Sequence, residues 1–211
     1  GLSFVEPAIG RPVRVSRHII LKPPKVRVLS QPEDLIISLV PGAAFGLGEH
    51  PTTRLALRGI EHAAGIHGAA GEGDGSMVLD IGTGTGVLVI AAVMMGIRQG
   101  IGTDPDPCSR SEARENVKEN GLGERIEITE ASLNEIHGSF EVISANLRYP
   151  TLISLCEDIR RRTTPRGVVV VSGLRSWEAP ILINRYRKAG FVVRWEESEH
   201  HWHAVVFQNN A

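Results

Sequence analysis

The sequence predicts an α/β protein: a doubly wound, mostly parallel sheet, with an antiparallel closing strand pair and a short β-rich extension in front. Three observations lead there. From Met77 onward, short apolar runs alternate with stretches of helical length, the rhythm of a parallel sheet with helices on both faces. The run 167–172 contains four successive valines, which suits a strand buried on both sides. A glycine-rich turn, Gly82-Thr83-Gly84-Thr85-Gly86, follows the first of these strands and leads into an apolar helix.

The elements follow in order. Strands are expected at 13–15, 18–21, 26–29 and 35–40, β-branched runs punctuated by Pro12, Pro23-Pro24 and Pro32. This front part, 1–40, is read as a β-rich extension, and 41–211 as the main domain. Segment 41–53 is a glycine-bearing loop entering a helix whose apolar side is Leu55, Leu57, Ile60 and Ala64. Residues 65–76, rich in glycine and alanine, are read as a flexible surface loop. Strand 77–79, helix 86–95 and strand 100–103 come next. Asp106 then stands as an N-cap with Pro107 in the first helical position, opening a helix that runs to about Asn120 and stops at Gly121. Strands at 126–128 and 141–144, a helix over 152–162, strand 167–172, a helix over 177–189 and strands at 191–196 and 203–208 complete the chain.

Composition narrows the classes of protein this can be. Of 211 residues, 42% are apolar and 22% charged, ordinary for a soluble domain. A chain of this length buries about 70% of its unfolded surface without staples. No apolar run approaches the roughly 18 residues of a membrane span, and the first residues lack the order of a secretory leader. Cys108 and Cys156 make neither a disulfide framework nor a metal-ligand spacing. A cytoplasmic home and no membrane partner are therefore expected. The net charge of −1 divides into +5 over residues 1–30 and −6 over the rest. Such a strip could meet nucleic acid or an acidic surface. A solvated edge hairpin is the preferred reading, and direct nucleic-acid binding is not expected.

The chemistry is concentrated at strand ends, where open α/β sheets bind ligands near the reversal of strand order. Gly82, Gly84 and Gly86 let the backbone turn sharply and a ligand approach closely. Asp104 ends the next strand, 24 positions after Asp80, near the offset at which a carboxylate accepts the ribose hydroxyls of a nucleoside. Val87 stands where a dinucleotide fingerprint wants glycine or alanine, and no Lys-Ser/Thr pair follows the glycines as in a phosphate loop. Asp80 beside the turn would repel a pyrophosphate but suits a ligand bearing an ammonium and a sulfonium. S-adenosyl-L-methionine has both, so the pattern points to methyl transfer. Asn146, after the fourth strand, has a carboxamide able to orient a substrate amine or reach the methionine part of the cofactor. Phe45 to Thr53 is read as a lid, with Phe45 stacking and a threonine hydroxyl reaching the cofactor. The plainer alternative is a helix start capped by Thr52 or Thr53. His50 is a candidate base. His200-His201-Trp202-His203 is read as a turn into the last strand, and no metal is expected. The Arg160-Arg161-Arg162 run suits a helix C-terminus.

Four blocks then carry a resemblance: Pro41-Gly42-Ala43-Ala44-Phe45-Gly46-Leu47-Gly48-Glu49-His50-Pro51-Thr52-Thr53, Leu79 to Gly86, Asp104-Pro105-Asp106-Pro107, and Ala145-Asn146-Leu147. In this order they resemble the bacterial methyltransferases of large-subunit ribosomal protein eleven, the PrmA family, from about Phe4 to the end. The His-Pro-Thr-Thr block is the most specific part. The resemblance implies a class I methyltransferase fold, transfer from S-adenosylmethionine to protein amino groups, and a ribosomal protein as partner. By position it implies cofactor contacts at Thr53, Gly82, Asp104 and Asn146. It also implies a small front domain that docks the ribosomal protein, and this chain begins near the linker behind it. Leu47 stands where members usually have threonine. Two alternatives stay open: a small-molecule methyltransferase, and a cofactor-binding domain without its own activity.

Overall fold

The computed structural model describes residues 11–69 and 75–211. Segments 1–10 and 70–74 lie outside the described residues, and with them the readings placed on the leading residues and on the middle of the expected 65–76 loop. Among the described residues no helix is long and apolar enough to cross a membrane.

In front stand β1 (Val13–Arg14), β2 (Ile19–Lys22) and β3 (Leu35–Ser38). β1 pairs antiparallel and β3 parallel with β2. The expected strand at 26–29 does not form. Its alternation is only a propensity, and the Val26 N–H is taken up by the Pro23 carbonyl at 3.4 Å in the turn that follows β2. Leu29 is consequently fully exposed. Helix α1 (Pro51–Ala69) follows, which corrects the loop reading for 65–69. Ile66 packs against the core and carries the helix past Gly65.

The main sheet is built from β4 (Met77–Ile81), β5 (Gln99–Thr103), β6 (Ile126–Thr129), β7 (Phe140–Asn146), β8 (Thr163–Arg175), β9 (Phe191–Glu199) and β10 (Trp202–Asn209). Their spatial order is β6-β5-β4-β7-β8-β10-β9. The pairs from β6 to β8 are parallel, and β10 runs antiparallel to both β8 and β9. This is the doubly wound sheet with the closing pair that the sequence predicts. Helices α2 (Val87–Met94), α3 (Pro107–Glu119), α4 (Tyr149–Ser154), α5 (Cys156–Arg162) and α6 (Ala179–Lys188) connect the strands. The single helix expected over 152–162 is two, broken at Leu155, and the first begins earlier because Pro150 is accepted in a first turn. The helix expected from 177 starts at Ala179, with Pro180 in its first turn and Trp177 left in the preceding turn.

Side-chain alternation sends each strand into two cores. Val78, Val142, Val168, Val170 and Val206 face one that also holds α1, α2 and the front sheet through Val15, Ile19, Leu21, Ile37 and Leu39. Leu79, Ile143, Val169, Val171, Val205 and Phe207 face the other, with α4, α5 and α6. The four valines of β8 are thus shared between both faces. The front strands are built into the first core. Strand order reverses between β4 and β7, which places the crevice above the ends of β4, β5 and β7.

Candidate active site

The floor of the crevice is the turn after β4. Gly82 and Gly84 have φ of +71° and +53°, a region that side chains disfavour. A Cβ on Gly84 would lie 2.3 Å from the Phe45 carbonyl oxygen, and one on Gly82 would lie 2.6 Å from Leu147 Cδ2. The N–H groups of Gly82 and Thr83 both donate to the Thr103 carbonyl, at 2.8 and 3.0 Å, tying the turn to the end of β5. Asp80 lies beneath the turn and is fully buried. Its carboxylate accepts from Thr83 Oγ1 at 2.6 Å and Ser144 Oγ at 2.7 Å. Burial raises its pKa to about 6; the two hydroxyls oppose the shift and the Asp104 charge adds to it. Asp104 lies at the rim: Oδ2 accepts the Gly84 N–H and Oδ1 the Asp106 N–H, both at 3.0 Å. Each oxygen keeps a further lone pair for a ligand hydroxyl.

A strap over 41–50 is seated on this turn, and three side chains spaced one helical turn apart, Glu112 and Asn116 of α3 and its C-cap Asn120, hold the strap and the residues that lead into it. The Glu112 carboxylate accepts the N–H groups of Ala43 and Ala44, each at 2.8 Å. Asn116, fully buried, accepts from Val40 N at 2.7 Å and donates to the Thr85 carbonyl at 2.9 Å. Asn120 accepts from Ser38 N at 2.9 Å and returns a bond to the Ser38 carbonyl at 2.7 Å. The Thr85 N–H closes the seam on the Phe45 carbonyl at 3.0 Å. The strap residues and Thr53 line a cavity of about 430 Å³. The hydroxyls of Thr53 and Thr85 are buried without a partner among the described residues, as expected where a polar ligand is to complete the site.

On the opposite side, α1 begins with Pro51, and His50 serves it in two ways. Its carbonyl accepts from Thr53 N at 3.1 Å, and its Nδ1 accepts from Thr52 N at 3.2 Å. Nδ1 is also 2.8 Å from Thr52 Oγ1, which in turn accepts from Asn146 Nδ2 at 3.4 Å. Thr52 therefore links His50 to Asn146. Burial, then the charges of Arg54 and Arg175, hold the His50 pKa below the usual histidine range. The His50 ring meets Phe45 at 5.3 Å and the Trp202 edge at 4.9 Å, between centroids. Arg54 fastens the strap through the Gly48 carbonyl at 3.0 Å and pairs with Glu199.

A family model described as ribosomal protein L11 methyltransferase (PrmA) matches residues 10–210. The chain belongs to that family. The "Ribosomal protein L11 methyltransferase" of Geobacter metallireducens is 35% identical over 197 residues, which are 93% of this chain and 62% of that protein. That of Geobacter sulfurreducens is 35% identical over 198 residues, 94% of this chain and again 62% of the relative. The chain thus spans less than two thirds of the length of these curated relatives. The crystal structure of a ribosomal protein L11 methylase from Lactobacillus delbrueckii subsp. bulgaricus superposes with a TM-score of 0.81 at 28% identity, covering 95% of this chain and 99% of that one. An RNA methyltransferase from Salinibacter ruber, solved in complex with S-adenosyl-L-homocysteine, shares the fold, with a TM-score of 0.52 at 19% identity over 71% of this chain and 90% of that one.

In this L11 methyltransferase family member the structure brings Phe45, Gly82, Gly84 and Asp104 together at the ends of β4 and β5. His50 and Asn146 meet through Thr52. Asp80 holds the turn from below. Thr53 lies in the first turn of α1 and lines the strap cavity. His200 and His201 form the β9–β10 turn, with φ of 47° and 65°. His203 bonds Ser198 Oγ at 2.6 Å, and no group of three metal-ligating side chains occurs among the described residues. Sequence reasoning missed the Thr52 link and the Glu112–Asn116–Asn120 stripe. The stripe's four-residue spacing was a readable signal; the Thr52 link depends on the approach of β7 to α1.

Proposed function

We propose that this chain is an S-adenosylmethionine-dependent methyltransferase acting on amino groups of a protein, with a ribosomal protein as the acceptor. The observation that carries this reading is a glycine turn closed to side chains, with Asp104 at its rim, beside a cavity lined by the partnerless Thr53 hydroxyl and by His50, which Thr52 joins to Asn146. The residues fit the cofactor on two counts: the turn has space only where side chains are absent, and the orphaned Thr53 hydroxyl lines the neighbouring cavity. Asp104 would take the ribose hydroxyls, Gly82 and Gly84 would let the methionine portion approach, Thr53 and Asn146 would reach its polar atoms, and Phe45 would cover the site. Asp80 would contribute its charge from beneath the turn. Residues 41–211 supply this site, and the front sheet within 1–40 buttresses it.

When bound, S-adenosylmethionine supplies an activated methyl group on a sulfonium, so this chain's residues need mainly to position the acceptor. Holding an amine in line can supply an effective molarity of order 10⁵–10⁸ M. Because Asn146 Nδ2 is directed at Thr52, its Oδ1 remains as the acceptor that orients the amine N–H. A lysine acceptor must first lose a proton, and a dry pocket favours that loss. Neutral His50, whose Nδ1 accepts from Thr52, holds the hydroxyl that in turn positions Asn146, while the lysine proton is released to solvent before the amine is seated. Incubating the chain with methyl-labelled cofactor and a ribosomal-protein fraction tests the reading: a labelled protein band is expected. Label confined to a small metabolite, or no label, would overturn it.

A further inference from the structure

Beyond Trp202 the rim of the crevice carries a feature that the transfer chemistry does not use. Arg175 ends β8, three residues after Ser172, the ladder partner of Asn146. Its guanidinium lies over the Trp202 ring at 3.6 Å from the centroid and also faces Trp177 at 5.7 Å. No side-chain hydrogen bond or ion pair occupies that guanidinium among the described residues. Glu178, the nearest acid in sequence, spends Oε2 on the Arg175 backbone N–H at 2.7 Å. An arginine held over an indole, with its donors unspent, is a planar fork prepared for a carboxylate. Beside it, Trp177 is 67% and Ile181 60% exposed. Trp177 stands in the turn before α6 and Ile181 in the first turn of that helix, so the two exposed side chains form an apolar ledge next to a cationic fork. Trp202 joins this ledge to His50 by direct ring contact.

We infer that Arg175, Trp177 and Ile181 form a subsite for the acceptor polypeptide, which takes a carboxylate flanking the methylated amine on Arg175 and an apolar side chain on the Trp177–Ile181 ledge. The inference rests on the protein-amine reading above and names which protein segments that site prefers. An extended peptide advances about 3.3 Å per residue, and Arg175 stands three strand residues beyond the partner of Asn146. The acid therefore falls two to four residues from the amine. Arg175 acts here as a specificity residue: it touches the acceptor's flank and not the reacting atoms.

The probe is a pair of fluorescein-labelled peptides, each with one lysine, a leucine, and either glutamate or glutamine three residues after the lysine. Fluorescence anisotropy is read on the whole 211-residue chain, with S-adenosylmethionine present. The glutamate peptide is expected to bind about tenfold more tightly. Arg175→Gln should bring the two peptides within about twofold of each other, while Trp177→Ala should weaken both by a similar factor and keep the ratio. Equal binding of the two peptides to the unaltered chain, including no binding of either, overturns the inference, as does a ratio that survives Arg175→Gln. Discriminating binding without methyl transfer to lysine would contradict the enzyme reading and leave this subsite standing. Transfer with equal KM for both peptides would do the reverse.

Discussion

The two ends of one crevice are built on opposite plans. At the β4–β5 end the key polar side chains are already engaged: Asp80 on two hydroxyls, Glu112 on two strap N–H groups, Asn116 and Asn120 on backbone. At the β8–β10 end Arg175 holds only rings, Trp177 faces solvent and His50 is half-buried. A network engaged in this way fixes geometry, and the two hydroxyls it leaves over, those of Thr53 and Thr85, suit the polar atoms of a cofactor. An open rim with unspent donors suits a partner that completes it on arrival. The same contrast separates the residues whose loss should unfold the site from those whose loss should change only what it accepts.

The largest effect is expected at the meeting point of the two ends. Asn146→Ala should lower kcat about 10²- to 10³-fold, the range for losing one transition-state hydrogen-bonding group, measured under saturating cofactor. On the closed side, Asn116→Ala leaves the Val40 N–H and the Thr85 carbonyl unpaired beside a new gap. Denaturant unfolding should show a loss of about 2–4 kcal/mol. Arg175→Gln, measured the same way, should stay within about 0.5 kcal/mol; a comparable loss there would erase the distinction between the two ends.

Asp80 offers a finer test through pH. Folding raises its pKa from 3.8 to about 6, so between those values the folded chain binds more protons than the unfolded one. Its contribution to stability therefore falls as pH rises through that window, by on the order of 2–3 kcal/mol. The stability of Asp80→Asn, set against the unaltered chain from pH 4 to 7, should show that slope removed. His50 has the opposite sign. Its pKa is depressed below 6.5, chiefly by burial, so the unfolded state takes up the proton first and stability declines as pH falls below 6.5. Methyl transfer should decline with it as His50 protonates, and His50→Gln should flatten that acid limb of the rate profile. This is the smallest of the expected effects.

What the sequence makes legible follows from how locally each feature is determined. The Asp106–Pro107 helix start is read directly because cap and helix are neighbours, and the structure shows the Asp106 side chain accepting from Ser109 N at 2.9 Å. The glycine turn is read because its positive φ values leave few other residue types. The 26–29 strand is misread because β-propensity does not say whether a partner edge is free. The helix at 65–69 is misread because the contact that sustains it, Ile66 on the core, is tertiary. Arg175 and Trp202 are strand partners 27 residues apart, and only the antiparallel closure of β10 on β8 brings them together. The strap is an intermediate case: its α3 stripe is periodic in the sequence, but its target, 38–44, is some 70 to 80 residues away.

The central claim is that the closed end of the crevice binds S-adenosylmethionine through Asp104 and the glycine turn. Isothermal titration calorimetry of that compound into the unaltered chain and into Asp104→Ala tests it directly. One-to-one binding to the unaltered chain, weakened about 100-fold or more by the loss of two charge-assisted hydrogen bonds, is expected. No binding heat with the unaltered chain, or equal affinity in the variant, would contradict it.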